Sequence, residues 1–570
     1  MSSQPKVPDE VAQGLFSSAR SLWLALSGLR GGDALPTDGV GGHAPSLPEL
    51  QLHYWQQQSL LWMGTMARAT GVVVEPIAAP GHCDRRFNDE AWRDNPWFSA
   101  IKQTYLLNSR LLDGMVDAAP LDPAAKHKAQ FYAHQFIDSM SPANFAATNP
   151  EAIKLAFETN GESLRAGLDN LLEDLSHRRI SITDDTAFEI GRNVAVSVGS
   201  VVFENPLFQL IQYTPLSAKV ALRPLVIVPP CINKFYILDL QPDNSFVRYA
   251  CEQGQTVFLV SWVNPGIELG ETTWDDYVEQ GVLNAVEVAL AISGADKVNT
   301  VGWCVGGTIL ATALAVMRAR GDESVSSVTL LTTLLDCSEP GDLGVFIDEQ
   351  GVAKREQEIG QGGIYPGAEL GFVFQMLRAN DLIWPYVVSN YLEGKSPDAF
   401  DLLYWNGDST NLPGPMYCWY LRNLYLENKL PTPGALTLCG TSVDLGKIDM
   451  PSYVLATQDD HIVPWRSAYR TTRLLGGKTQ FVLGASGHIA GVINPPSKNK
   501  RSHWINAVAG DDTDAWLESA QALPGSWWPH WMKWLKASEG KQVPARTRLG
   551  GAGYKSIEPA PGRYVRVRGS

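Results

Sequence analysis

The chain has no uninterrupted apolar stretch approaching the roughly 20 residues that a membrane-spanning helix needs. Its opening residues, MSSQPKVPDEVAQGL, lack the basic-then-apolar layout of a signal peptide, so a cytoplasmic protein without a transmembrane segment is expected. Lys and Arg form no long basic run; the densest cluster, Lys498-Asn499-Lys500-Arg501, could at most serve a local phosphate group. With a net charge of −14, this argues against nucleic acid as a partner. Charged residues make up only 19%, which predicts a sparsely charged surface. The seven cysteines are odd in number and irregularly spaced, so neither a disulfide framework nor a zinc pattern is present, and no metal is expected. A reducing compartment would also suit a catalytic thiol. Internal repeats are absent.

What the chain does have is length and apolar bulk. Its 570 residues argue for two or more structural units, and hydrophobic residues reach 45%. Eighteen tryptophans point to large apolar surfaces that meet a partner or an apolar product. A glycine-rich loop around Gly31 to Gly42 precedes a helical stretch from Leu50 to Thr70. From Asn95 to about His177 the periodicity is helical, for example over Ala152 to Leu175. Strand signals begin near Val194, where Val198 to Phe203 and Phe208 to Tyr213 flank Asn205-Pro206 as a hairpin. Apolar runs follow at Leu225 to Val228, Thr256 to Ser261, Val298 to Trp303 and Val325 to Leu335, with helical stretches such as Asp275 to Ile292 between them. This alternation predicts an α/β fold with a mostly parallel sheet covered on both faces. It stops at Asp336 and resumes at Ser452 to Thr457 and Gln480 to Leu483. A single loop that long is improbable, so 337–448 is expected to be an inserted cap, rich in aromatics such as Trp384, Trp405 and Trp419. The expected division is a mainly helical domain over 1–190 and a catalytic domain over 191–570. Trp527, Trp528, Trp531 and Trp534 predict a final helix packed on the core.

The segment Gly302-Trp303-Cys304-Val305-Gly306 lies between a strand and a helix-like stretch. Strand, G-x-C-x-G, helix is the nucleophile elbow of the α/β-hydrolase fold, with cysteine where serine usually stands. The flanking glycines permit the sharp turn, and the helix N-terminus favours a thiolate. In this fold an acid and then a histidine follow the nucleophile, each on a loop after a strand. His488, in Gly484-Ala485-Ser486-Gly487-His488, comes straight after the strand Gln480 to Leu483, and Asp460 ends the strand before it. Asp459 competes with Asp460. His461 shares the acid's loop and ranks as a substrate or supporting contact. His503 and His530 lie among aromatics and are expected to pack. The oxyanion hole should combine the N–H of Val305 with one from Pro229-Pro230-Cys231-Ile232-Asn233, from Cys231 or Ile232. Cys231 is a possible second thiol near the site, with packing its more ordinary role. Trp405 is expected to bury against substrate, polymer or a second subunit, or else to lie in an ordinary cap core.

The segments PPCINKFYILDLQP (from Pro229), GQTVFLVSWVNP (from Gly254), GWCVGGT (from Gly302), DDHIVPW (from Asp459) and GASGHIAGVINPP (from Gly484) resemble class I polyhydroxyalkanoate synthases. The likeness extends over nearly the whole chain, including FDLLYWNGDSTNLPGPMYCWYLRN, and is loosest at the N-terminal region. It implies joining of (R)-3-hydroxyacyl-CoA units, chiefly 3-hydroxybutyryl-CoA, into polyester with release of CoA. It also implies Cys304, Asp460 and His488 as nucleophile, acid and base. No cofactor is implied, since the coenzyme A thioester is the substrate. Trp303 stands where phenylalanine is expected in many members. A homodimer working at the surface of polyester granules is expected, with the cap shifting to admit CoA. The triad alone would also permit a thioesterase or polyester depolymerase, and an inert granule scaffold is a third possibility.

Overall fold

The computed structural model describes residues 46–82, 84–177, 179–506, 510 and 512–569; the glycine-rich stretch Gly31 to Gly42 lies outside them. The chain forms two compact units, one from the described part of Met1–Ile182 with Arg378–Pro397, the other from Thr183–Leu377 with Asp398–Ser570.

The first unit is helical: α1 (Leu47–Ala69), α2 (Pro96–Ala118), α3 (Pro123–Ser139), α4 (Pro150–Glu158) and α5 (Glu162–His177). Three of these begin with the same device. Asn95, Asp122 and Asn149 each accept hydrogen bonds from the next turn's N–H groups, and each is followed by a proline that needs no donor there. Phe87, Trp92, Tyr105, Ile137 and Ala143 form its core. Arg378–Pro397, from the stretch expected to be a cap, is tied to α5. The Tyr391 hydroxyl donates to Asp174 at 2.6 Å, and Asn170 donates to the carbonyls of Asn390 and Lys395 at 3.0 and 3.1 Å. Helix α5 leaves Leu164, Leu168, Leu172 and Leu175 exposed.

The second unit is built on an eleven-stranded sheet among the described residues. Its strands are β1 (Gly199–Glu204), β2 (Phe208–Tyr213), β3 (Leu225–Val228), β4 (Val257–Trp262), β5 (Val298–Trp303), β6 (Val325–Leu331), β7 (Ser452–Thr457), β8 (Thr479–Gly484), β9 (Ser502–Ile505), β10 (Gln521–Pro524) and β11 (Glu558–Pro559). The order is β10-β9-β8-β7-β6-β5-β3-β4-β2-β1-β11. The block from β8 to β4 is parallel and both flanks are antiparallel. Strands β3, β4, β5 and β7 are buried along their whole length, as layers on both faces require. The expected α/β-hydrolase architecture is therefore present. Asn205 makes the β1–β2 turn by accepting from the N–H groups of Leu207 and Phe208 at 2.9 and 3.0 Å.

Several elements differ from the sequence expectation. Strand β6 ends at Leu331 rather than Leu335, because Thr332 turns the chain at φ +39°. The helix expected over Asp275 to Ile292 contains a π segment, Tyr277–Leu283, where Gly281 lies against the Trp262 ring. Strands β9, β10 and β11 were not anticipated: they are two to four residues long and lie in sequence without a clear period. Helices α6 (Val305–Ala319) and α7 (Trp528–Leu535) cover the sheet. In α7, Trp531 packs on Phe246 with ring centroids 4.8 Å apart and donates its indole N–H to Thr329 at 2.9 Å. No helix among the described residues is long and apolar enough to cross a membrane.

Trp531→Ala is expected to lower stability by about 3–5 kcal/mol through the cavity it leaves. Trp531→Phe should lose about 1 kcal/mol, chiefly the hydrogen bond. Urea unfolding followed by circular dichroism checks the order; equal losses would contradict the packing account.

Candidate active site

The site begins with backbone geometry. Strand β5 ends at Trp303 and α6 starts at Val305, so Cys304 alone makes the turn, at φ +52° and ψ −129°. A side chain in this region costs about 1–3 kcal/mol and persists only where the surroundings enforce it. A Cβ on Gly302 would meet the Gly307 Cα at 2.5 Å, and one on Gly306 would collide with the Pro229 carbonyl. The Cys304 N–H donates to Leu331 at 2.9 Å, and its carbonyl accepts from Gly307 and Thr308 at 2.9 and 3.2 Å. The thiol stands at the N-terminus of α6, where the helix dipole favours negative charge. Cys304 keeps accessible surface, whereas Cys231, Cys251, Cys337 and Cys418 are buried.

Asp460 follows β7 and is fully engaged. Its Oδ1 accepts from the N–H groups of Ile462 and Val463 at 2.9 and 2.8 Å. Its Oδ2 accepts from Thr457 Oγ1 at 3.2 Å and lies 2.8 Å from His488 Nδ1. Asp459 is exposed, so burial and hydrogen bonding single out Asp460. The two loops are joined by bonds from Gln458 N–H to the Gly484 carbonyl and from Asp459 N–H to the Ser486 carbonyl, at 2.8 and 3.0 Å. His488 is buried beside the Trp303 ring, 6.5 Å between centroids. Burial alone would lower its pKa, but the Asp460 charge, the nearby Cys304 and hydrogen bonds to both push it up to about 10. With Nδ1 occupied by Asp460, Nε2 is the nitrogen left for Cys304.

Other anticipated residues divide by burial. Val305 is the first residue of α6, whose leading N–H groups have no partner within the helix. Gly306 abuts Pro229, so this first turn meets the loop that carries Ile232. That loop is fixed from several sides: Trp262 donates to the Pro229 carbonyl at 2.9 Å, Thr410 N–H to the Ile232 carbonyl at 2.9 Å, and Trp405 to the Lys234 carbonyl at 2.6 Å. Of the places expected for Trp405, the structure has it in the second unit's core, with its N–H holding this loop. Cys231 is buried, and burial pushes its thiol up, which suits packing rather than nucleophilic work. His461 is half-buried on the Asp460 loop. His530 Nδ1 lies 3.0 Å from the Tyr453 hydroxyl and His503 Nδ1 lies 3.2 Å from the Gly525 carbonyl; both are packing residues held below the ordinary imidazole value by burial.

Sequence reasoning missed two features. Tyr420 and Tyr425 pack edge to face with ring centroids 5.2 Å apart, and their hydroxyls lie within electrostatic reach of Cys304, that of Tyr425 also of Asp460. Burial raises both hydroxyls, and their only sequence signal was an aromatic-rich insertion. The second is the support of the His488 loop from α7. Trp527 donates to the carbonyls of Gly491 and Val492, both at 3.2 Å, and Trp528 donates to Val492 at 3.0 Å. Among the described residues no group of three or more His, Cys, Asp or Glu is placed to hold a metal ion. A thiol, an imidazole and a carboxylate in series, at a helix N-terminus, can carry out nucleophilic acyl transfer.

Comparison with known proteins shows which family the chain is similar to. Residues 83–250 match the family described as poly-beta-hydroxybutyrate polymerase (PhaC) N-terminus, and residues 224–495 match the alpha/beta hydrolase fold. The chain is 53% identical over 549 residues to the poly(3-hydroxyalkanoate) polymerase subunit PhaC of Cupriavidus necator, covering 95% of this chain and 92% of that one. It is 43% identical over 525 residues to the Rhizobium meliloti subunit of the same description, covering 91% and 85%. Poly(3-hydroxyalkanoate) polymerase 1 of Ectopseudomonas oleovorans is 40% identical over 492 residues, covering 86% and 88%.

Because His488 is raised in the folded state, its pairing stabilises the protein fully below the ordinary value of 6.5 and is lost as pH rises through about 10. The stability difference between wild type and His488→Gln should therefore shrink across that window in urea titrations. Asp460→Asn should lower the His488 pKa seen by NMR and Asp459→Asn should leave it in place. A pH-independent difference, or the reverse ranking of the two variants, would contradict the assigned pair.

Proposed function

The chain belongs to the poly(3-hydroxyalkanoate) polymerase family, and on that premise we propose that it is an acyltransferase joining (R)-3-hydroxyacyl-CoA units, chiefly 3-hydroxybutyryl-CoA, into polyester with release of coenzyme A. The observation that carries this reading is the Cys304 thiol at a positive-φ elbow beside the Asp460–His488 pair.

In the proposed cycle the thiol proton already rests on His488, as its raised value favours, and Cys304 attacks the thioester carbonyl as the thiolate. The tetrahedral oxyanion is held by the N–H groups of Val305 and Ile232. The C–S bond to coenzyme A then breaks, and His488 returns the proton to the departing thiolate. The acyl group remains a thioester, so it keeps its activation for the next step. The 3-hydroxyl of an incoming unit next gives its proton to His488 and attacks this thioester. An ester bond forms, and the Cys304 thiolate leaves, restored beside the protonated His488. Asp460 keeps the imidazole oriented and basic. A serine nucleophile would hold the acyl group as a less reactive ester, and this is the chemical sense of cysteine at the elbow.

Water competes with the hydroxyl for the acyl-enzyme. The aromatic insertion supports exclusion of water: Trp274 stacks on Trp419 and Tyr420 at 4.9 and 5.3 Å, and Tyr365 on Tyr417 at 4.3 Å. On this reading the enzyme works as a homodimer in the cytoplasm, at the surface of polyester granules, and the exposed leucines of α5 suit an apolar polymer surface.

Incubation with (R)-3-hydroxybutyryl-CoA tests the function. Coenzyme A release should match the units found in a high-mass polyester, and Cys304→Ala should release it at least about a thousandfold more slowly. Free 3-hydroxybutyrate as the main product would identify a thioesterase instead.

A further inference from the structure

Lys234 follows the loop that carries Ile232 and is only 3% exposed. Its Nζ donates to the Val567 carbonyl at 2.6 Å, near the end of the chain. Burial pulls its ammonium down to about 8, against the opposing charge of Asp408. Asp408 is also buried, and the Tyr236 hydroxyl donates to it at 3.0 Å. A second link runs parallel to the first. Asn264 donates to the Arg568 carbonyl at 3.0 Å and accepts from the Asn411 N–H at 2.9 Å. The tail itself is anchored on the sheet side. Tyr564 donates to the Asn205 carbonyl at 2.9 Å, Arg566 to Ile190 at 2.7 Å, and Arg568 to the Tyr404 hydroxyl at 3.0 Å.

An apolar side chain at 234 would fill the same space without the desolvation cost of an ammonium. A cationic head does what an apolar one cannot: it reaches the tail carbonyl. Meanwhile the Lys234 carbonyl is held by Trp405 and the Ile232 carbonyl by Thr410. The end of the loop is thus clamped at backbone and side chain.

We propose that Lys234 is a positioning residue for the oxyanion hole, tying the Pro229–Lys234 loop to the last residues of the chain, so that the C-terminal tail is a working part of the acylation site. This rests on the acyl-transfer reading above. The tail touches no reacting atom; it acts through the loop.

The test measures single-turnover acylation of Cys304 by (R)-3-hydroxybutyryl-CoA in full-length Lys234→Met, in a chain ending at Arg566, and in the two combined. Each single change should slow acylation about 10- to 100-fold, the size expected for a displaced oxyanion donor. KM should stay within about twofold, and the combined variant should be no slower than the slower single one. Folded variants acylating at the wild-type rate, a KM change with an unchanged rate constant, or effects that multiply would each overturn the proposal. Should Lys234→Met fail to fold by circular dichroism, Trp405→Phe decides in its place, since it removes the N–H held by the Lys234 carbonyl. A wild-type protein that forms no acyl-enzyme would sink the acyl-transfer reading itself, a result distinct from wild-type acylation unchanged in the variants.

Discussion

The positive φ of Cys304 is the constraint on which the rest of the site depends. A non-glycine residue stays there only because β5 and α6 approach too closely for any other path, with Gly302 against Gly307 and Gly306 against Pro229. That contact lifts the thiol clear of the sheet and aligns it with the helix N-terminus. It also brings the loop after β3 to the first turn of α6, so one contact places both the thiol and the proposed oxyanion donors. The Asp460–His488 pair then completes the site from the C-terminal ends of β7 and β8, parallel strands in the same block as β5.

Tryptophan indoles supply the second layer of control. A buried indole N–H needs an acceptor, and here many of those acceptors belong to the loops that form the site. Trp262 and Trp405 hold the loop after β3, Trp527 and Trp528 hold the His488 loop, and Trp303 donates to Thr332 at 2.9 Å beside the elbow. The abundance of tryptophan therefore has an internal purpose that composition alone did not disclose. Composition pointed to apolar surfaces meeting a partner, and exposed Trp55, Trp62 and Trp97 in the first unit remain compatible with that.

Much of the fold was legible because its signals are local. The parallel strands are continuous apolar runs, the elbow is a contiguous motif, and Asn205-Pro206 makes a turn by its own chemistry. Asp460 and His488 were legible by chain order and by position after a strand. What was hidden depends on contacts between distant segments. Strand β11 is two residues that exist only by pairing with β1, and the Tyr420–Tyr425 pair reaches Cys304 from an insertion with no motif. The core position of Trp405 was undecided for the same reason: an aromatic in an insertion carries no sign of what buries it until its hydrogen-bond partner is known. The insertion itself does not stay together, since Arg378–Pro397 belongs to the helical unit.

The central claim is that Cys304 carries the acyl group. Rapid quenching of the enzyme with (R)-3-hydroxybutyryl-CoA, followed by peptide mass mapping, tests it most directly. The account predicts a 3-hydroxybutyryl adduct on the peptide containing Cys304, labile to neutral hydroxylamine as a thioester is. An adduct on Cys231 or another residue, or turnover with no covalent acyl-enzyme, would contradict it.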